Sequence, residues 1–336
     1  MQIAALKILR NRLLACLLMG ICSAAWIPAA NAGSNAGTAG AFLRMGLGAR
    51  ALAMGDVGVA IPGNGYGIFY NPASLPYLEK KTVLTTYNYL SLDRHLNFIG
   101  FATPLHPPAA ESGKTLSAGL GIGWINAGPG ELEGRDTDGN PIGTFENSEN
   151  AFYFSFALRL ADRIAVGFSP KVLYNSFPDL TEDESLSATR LGFDAGILVN
   201  PWRELYLGAQ ARHINAQYRW DTSTIWGDDG TTITDEFPRI YRCGAAYYFD
   251  FGLLLAGEFE TSDQEDNQIH AGAEYSFKPT GPYSFDLRAG YDDKDLAFGF
   301  GFGFLVWKLR GQLDYAYQIQ DVPPYDSQVI SFSVSF

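Results

Sequence analysis

The stretch Phe298-Gly299-Phe300-Gly301-Phe302-Gly303-Phe304 sets four aromatic rings at every second position with only glycine between them. A helix would scatter those rings around its axis. An extended strand, whose side chains alternate between faces, gathers them on one side. The last residues repeat the device: Ile330, Phe332, Val334 and Phe336 stand against Ser331, Ser333 and Ser335. Between the two, Leu309, Gly311, Leu313, Tyr315 and Tyr317 alternate with Lys308, Arg310, Gln312, Asp314 and Gln318. One face is apolar and the other charged.

Segments of this kind recur along the chain near 82–90, 94–104, 116–126, 150–160, 163–175, 188–200 and 203–215, and again near 239–249, 251–261, 267–278, 283–292, 296–306, 308–318 and 327–336. The count is fourteen, and most are about the length a tilted strand needs to cross hydrocarbon, roughly twice an ordinary strand. An even set of long antiparallel strands satisfies its backbone in lipid by closing on itself. The expected fold is therefore all-β: a transmembrane antiparallel β-barrel of about 14 strands over residues 81–336, in the bacterial outer membrane with lipid as its surroundings. Connections alternate as such barrels require, short at Ala161-Asp162, Asn200-Pro201-Trp202, Asp250, 278–282 and Val306-Trp307, and longer at 128–149, 176–184, 216–238, 262–266 and 320–326. Ser91 to Asp93 and Leu105 to Thr115 break the alternation. A secreted soluble sandwich would also alternate. The faces argue against it: Phe152, Phe154, Phe156, Leu158 and Leu160 oppose Ser155 and Arg159, and Tyr283, Phe285, Leu287, Ala289 and Tyr291 oppose Asp286 and Arg288. Trp124, Trp202 and Trp307, near segment ends, suit interfacial girdles.

The chain has 336 residues, 47% apolar and 18% charged, which excludes disorder. Its net charge of −12 is the wrong sign for a phosphate backbone, so nucleic acid is excluded as a partner. Residues 1–32 read as a signal peptide: Lys7, Arg10 and Arg12 precede an apolar run that ends at Ala30-Asn31-Ala32. Its removal takes three cations and leaves the mature chain at −15. Cys16 and Cys22 leave with it, so Cys243 has no internal disulfide partner.

Residues 33–80 do not alternate and are rich in Gly and Ala. They are expected to form a hatch inside the lumen, resting on smooth walls made by inward glycines of two strands, Gly119, Gly121, Gly123 and Gly299, Gly301, Gly303. Relief of strand crowding is the competing explanation of those glycines.

The run from Phe42 to Gly55 (FLRMGLGARALAMG), followed by Tyr70-Asn71-Pro72-Ala73-Ser74-Leu75, resembles the amino-terminal signature of the PorV/PorQ family of outer-membrane proteins. More distantly it resembles the FadL group of long-chain fatty-acid transporters, which have fourteen strands, an amino-terminal hatch and an Asn-Pro-Ala motif within it. The resemblance implies that Asn71, Pro72 and Ala73 lie near a ligand. Where FadL-like hatches often carry acidic residues before the motif, this chain has Ile61-Pro62-Gly63-Asn64-Gly65-Tyr66. Ile330, Phe332, Val334 and the terminal Phe336 resemble the signal read by the barrel-assembly machinery, an implied partner.

Enzyme chemistry has little to stand on. His95, His106, His213 and His270 are dispersed, no serine sits in a G-x-S-x-G context, and Cys243 alternates onto the apolar face. No cofactor is expected, since the glycines near 299 lack the helix and the Lys-Ser/Thr of a phosphate cradle. Asp136, Asp138 and Asn140 match a calcium loop in part, but Gly139 comes too early and Asn147 stands at the position of the closing Glu; a solvated loop is the preferred reading. The acidic run 179–184 reads likewise. Inward charges of both signs, Arg159, Lys171, Arg190, Asp194, Arg212, Arg242, Glu258, Glu274, Asp286, Arg288, Lys308, Arg310 and Asp314, are expected to pair inside the barrel.

Two functions remain. The preferred one is an outer-membrane protein of PorV/PorQ type, serving transport or type IX secretion and meeting exported proteins through its loops. The alternative is a FadL-like uptake channel for hydrophobic small molecules such as long-chain fatty acids. The loop holding Tyr218, Trp220 and Trp226 suits either a greasy mouth or a protein-binding surface.

Overall fold

The structure, a computed structural model, describes residues 38–91, 93–105, 117–130, 132–181, 184–279, 281–293, 295–319 and 326–336. The expected signal peptide, with Cys16 and Cys22, lies outside them, as do His106 and most of the 105–115 connection.

After an irregular amino-terminal segment come β1 (Thr82–Tyr89), β2 (His95–Leu105), β3 (Ser117–Gly128), β4 (Leu132–Arg135), β5 (Pro141–Phe145), β6 (Ser148–Ala161), β7 (Ile164–Thr181), β8 (Glu184–Trp202) and β9 (Leu205–Ile214). The chain continues through β10 (Gln217–Asp221), β11 (Thr232–Glu236), β12 (Ile240–Tyr248), β13 (Leu253–Ser262), β14 (Gln268–Phe277), β15 (Tyr283–Asp292), β16 (Asp295–Val306), β17 (Leu309–Ile319) and β18 (Ser327–Ser335). Fourteen of them form one closed antiparallel barrel, in which β18 pairs back onto β1 from Thr82↔Ser335 to Tyr89↔Gln328. Closure removes every edge, the condition for holding strands in hydrocarbon. The protein is thus a barrel of the kind that resides in the bacterial outer membrane.

The alternation read from sequence sorts the two faces. Phe298 and Phe300 are exposed on the outer wall while Ala297 is buried, and in β6 Phe152, Phe154 and Phe156 are exposed while Tyr153, Ser155 and Ala157 are buried. Outside, Trp124 stacks on Phe152 and Phe168 on Phe193, with ring centroids 6.0 and 5.6 Å apart. Ile330 and Phe332 point out from the closing strand, and the Phe336 N–H donates to the Lys81 carbonyl. Cys243 is a free thiol on this outer face. Trp307, in the turn between β16 and β17, is 91% exposed.

The structure departs from expectation in three places. The segment 176–184, read as an outer loop, is an extension of the wall: β7 and β8 continue pairing to Thr181↔Glu184. Their pairing continues past the end of the apolar alternation, with an irregularity between Phe177 and Thr181. Loops 128–149 and 216–238 contain the small hairpins β4–β5 and β10–β11, which pair outside the barrel. Pro170 sits inside β7, where a missing N–H breaks the ladder; Phe154 and Ser155 of β6 pair with β3 but have no ladder partner on β7, and the Ser155 and Ser169 hydroxyls bond at 2.6 Å instead.

Residues 41–78 lie within the barrel. Short helical turns at Ala41–Arg44, Ala49–Leu52, Gly67–Tyr70 and Pro72–Tyr77 are joined by buried irregular backbone. The first large apolar cluster runs from Phe42 and Leu43 through Ile68, Phe69 and Leu75 to inward wall residues Leu96, Phe98 and Tyr153.

Candidate functional site inside the lumen

An irregular segment buried in a barrel must find partners for its backbone groups, or each orphan costs about 1–3 kcal/mol. Here wall side chains supply them. One Glu258 carboxylate oxygen accepts the N–H groups of Gly58 and Val59 at 2.6 and 2.7 Å. Gln210 donates to the Phe69 carbonyl, Arg212 to that of Leu43, and Arg242 to that of Asp56. Ser331 accepts the Ala49 N–H at 2.8 Å. The inner face of the barrel thus serves as the hydrogen-bonding partner that regular secondary structure would otherwise be.

Asn71, Pro72 and Ala73 are fully buried. Asn71 caps the turn that follows, its Oδ1 accepting from the Ala73 N–H, with Pro72 at the first helical position where a missing N–H is harmless. Its Nδ2 donates to the Val59 carbonyl at 2.7 Å and to that of Ile197, on β8, at 3.1 Å. The three residues therefore hold the segment to itself and to the wall.

That wall is flattened by glycines facing one another across strands. Gly167 pairs with Gly196, and a Cβ on either would strike Pro72-Ala73 or Asn71. Gly272 pairs with Gly290, and both abut Met54 or Gly55; a Cβ on Gly208 would meet Val59. Gly55 itself has a φ of 73° and touches the Tyr291 and Ala271 carbonyls, so it is glycine for both conformation and space. Of the sequence-predicted glycines, Gly119 abuts Leu75, Gly121 abuts Ile68, Gly123 abuts Phe98 and Ile68, and Gly299 abuts Ala53. Gly301 and Gly303 differ. They face Asp314, Gln312, Arg288 and Ser284 rather than the inner segment. The glycines of β7, β8, β9, β14 and β15 escaped the sequence reading because none belongs to a run with glycine at every second residue; the available signal was their inward register opposite another glycine.

Charged wall residues pin the segment at two levels. Arg242 bonds the Asp56 carboxylate at 2.7 Å and also engages Glu260, with Glu258 3.9 Å away. Tyr70 donates to Asp56 at 2.5 Å and accepts the Leu47 N–H; burial, with Asp56 beside it, pushes the Tyr70 phenol well above its ordinary range. Nearer the short turns, Glu274 bridges Arg50 of the inner segment and Arg288 of the wall, and Arg288 also reaches Asp314 at 2.8 Å. Lys171 and Asp194 form a third buried pair at 2.7 Å, at a β8–β9 bulge where the His213 N–H donates to Asp194. Arg190, Lys308 and Arg310 have no ion pair among the described residues. Arg159 lies over the Tyr77 ring.

At the long-loop end the lumen is closed by rings. Tyr218 and Phe237 meet edge to face at 4.9 Å, Trp220 packs on Phe177 and Tyr218, and this group joins Phe42 and Leu43. The Trp220 indole donates to Asp235 at 2.8 Å, a bond within the β10–β11 hairpin that ties its two strands together. Trp226, by contrast, is 67% exposed. At the short-turn end lie two adjoining cavities of about 510 and 560 Å³, both walled by Arg50, Lys278 and Arg310.

Asp136, Asp138 and Asn140 do not converge on a common centre. One Asp136 carboxylate oxygen accepts the N–H groups of Asp138 and Asn140, and the Asn140 amide bonds the other. Those donors hold the Asp136 carboxyl below its ordinary range. Among the described residues no group of three His, Cys, Asp or Glu side chains is arranged to hold a metal. His95, His213 and His270 lie apart: His95 bonds Asn126, His213 bonds Lys171, and His270 sits 2.8 Å from the Asp292 carboxylate and 3.7 Å from that of Glu260.

Closed barrel, filled lumen and apolar belt define a class of fold, the fourteen-stranded antiparallel barrel of the outer membrane. The chain's fold is similar to that of the Ralstonia pickettii toluene transporter TbuX (TM-score 0.56, 13% identity, covering 87% of this chain and 98% of that one). It is similar also to a Pseudomonas aeruginosa FadL homologue (TM-score 0.59, 12% identity, 86% and 97%) and to the Pseudomonas putida toluene transporter TodX (TM-score 0.53, 11% identity, 86% and 96%). These neighbours are transporters or transporter homologues rather than enzymes. No family model and no curated protein matches the sequence.

Proposed function

We propose that the protein is an outer-membrane channel for hydrophobic small molecules, with residues 33–80 acting as its hatch. The observation that carries this reading is the aromatic closure at the long-loop end, continuous with the apolar side of the inner segment. Rings that part for an apolar solute exclude water and ions, and the solute recovers on entry the burial that the rings lose. The toluene transporters named above support the same reading through their shared fold. The PorV/PorQ resemblance rests on residues 42–55 and 70–75, which are packed inside the lumen here; it therefore describes how a hatch packs, and carries less weight for loops that bind exported proteins.

The test is uptake of radiolabelled toluene and oleate by outer-membrane-intact cells that produce the protein. The expected result is faster uptake of one or both than in cells with an empty vector. Trp220→Ala, which removes a ring from the closure, should raise the rate further. Uptake of both cargoes no faster than the empty vector, together with copurification of exported proteins, would return the type IX secretion reading to first place.

A further inference from the structure

The ends of the barrel carry opposite charge. At the long-loop end, the β10–β11 hairpin and its flanks hold Asp221, Asp228, Asp229, Asp235 and Glu236 against Arg219 and Arg239. Outer-membrane barrels turn their short connections toward the periplasm, and there the balance reverses. The two cavities at that end form one vestibule. Its deep wall of Glu274, Asp286, Arg288 and Asp314 is mutually bonded and leaves no cation free. Its rim is different: Lys80, Arg203, Lys278 and Arg310 line the mouth, are exposed, and have no ion-pair partner among the described residues. Among the described residues that line the rim, Glu79 is the one acid.

Position argues for what these cations meet. They line the cavity over the barrel axis, so they face water at the mouth, whereas lipid headgroups surround the barrel's circumference. Lys81, Arg163 and Lys308, at the same end, do not line the cavity. A macromolecule seated on the rim is drawn in by its charge, and an acidic one is repelled by the opposite end. Chemistry supplies the reason for a partner, since an apolar molecule leaving the hatch enters water that solvates it poorly and needs a recipient with a cavity of its own.

We propose that the short-turn mouth docks the acidic surface of a soluble periplasmic protein through Lys80, Arg203, Lys278 and Arg310. The role of that partner as a recipient rests on the channel reading; the docking does not. Long flexible side chains around a concave mouth give an attraction that is adaptable and sensitive to salt.

Docking is measured on the full chain in an uncharged maltoside detergent, with a fluorescent ten-residue Glu/Asp peptide as probe. The wild type should bind the peptide at low salt and release it as sodium chloride is raised. The variant Lys80→Gln/Arg203→Gln/Lys278→Gln/Arg310→Gln should bind roughly tenfold more weakly. The variant Lys81→Gln/Arg163→Gln/Lys308→Gln, equal to wild type in binding, controls for charge at the same end. Equal weakening in both variants would overturn the proposal, as would loss of binding to phosphatidylglycerol vesicles alone in the rim variant. Full competition by citrate at the peptide's own concentration would make the mouth a small-anion site and overturn it as well. No cargo enters the measurement, so its failure and a failure of uptake are distinguishable.

Discussion

The two ends of the lumen are closed by different physics. At the long-loop end Tyr218, Trp220, Phe237 and Phe177 pack ring against ring in one cluster with Phe42, and an ion pair at that end joins Arg44 to Glu265 of the β13–β14 connection. At mid-height and below, the inner segment is held by charge: Arg242 on Asp56, Glu258 on two backbone N–H groups, Glu274 between Arg50 and Arg288. An apolar seal is non-directional and reforms easily after rings slide apart. A buried ion pair is directional, and separating it leaves a charge without solvent. The contrast teaches that the ring closure is the part built to yield, and the pinned segment the part built to stay.

Four substitutions break or sharpen that contrast. The largest effect is expected for Gly290→Val. Any Cβ there strikes backbone atoms of Met54 and Gly55, which cannot move without dragging the pinned segment, so the barrel should lose its heat-resistant compact form in semi-native gel electrophoresis. A compact band of normal mobility would show that the inner segment is free to shift. Next is Arg242→Leu, which strands Asp56, Glu258 and Glu260 in a dry interior. A cost of about 3–5 kcal/mol is expected, read as a lower thermal midpoint and as new protease cleavage between residues 38 and 80. An unchanged midpoint would mean that the charges are not what pins the segment. The smallest and most discriminating pair is Gly299→Ala against Gly301→Ala. The first meets the Tyr315 carbonyl and the Ala53 methyl, and should cost about 1–3 kcal/mol. The second meets the ends of Asp314, Gln312 and Arg288, which can swing aside, and should cost less than about 1 kcal/mol. Urea midpoints in detergent measure both; equal losses would make the polar network as rigid as backbone.

The barrel itself was legible because its signal is local. Each of Phe298, Phe300 and Phe302 declares its face through its neighbours alone, and strand number follows by counting such runs. What misled was the edge of each run. Residues 176–184 look polar and loop-like, yet Ser176↔Ser187 and Phe177↔Leu186 pair as strand, since a hairpin projecting into water needs no apolar face. The candidate site was legible only in outline. Asn71-Pro72-Ala73 could be marked as a motif, but its partner Gly196 and the Ile197 carbonyl lie on a strand that nothing in the motif points to. Gly301 and Gly303 shared an alternation with Gly299 and so shared a prediction, although the inner segment passes only the first.

The order of residues by itself decided that this chain becomes a ring of fourteen strands with rings of carbon outside and charge inside, because alternation with period two has one low-energy arrangement in lipid. It decided equally that the described residues before β1, 38–80, are something other than wall. Only the tertiary structure decided which charges grip that segment, which glycines make room for it, and that one mouth is greasy and the other basic. Those outcomes depend on which residues meet across the closed lumen, and closure brings together positions whose separation along the chain leaves no mark in either local pattern.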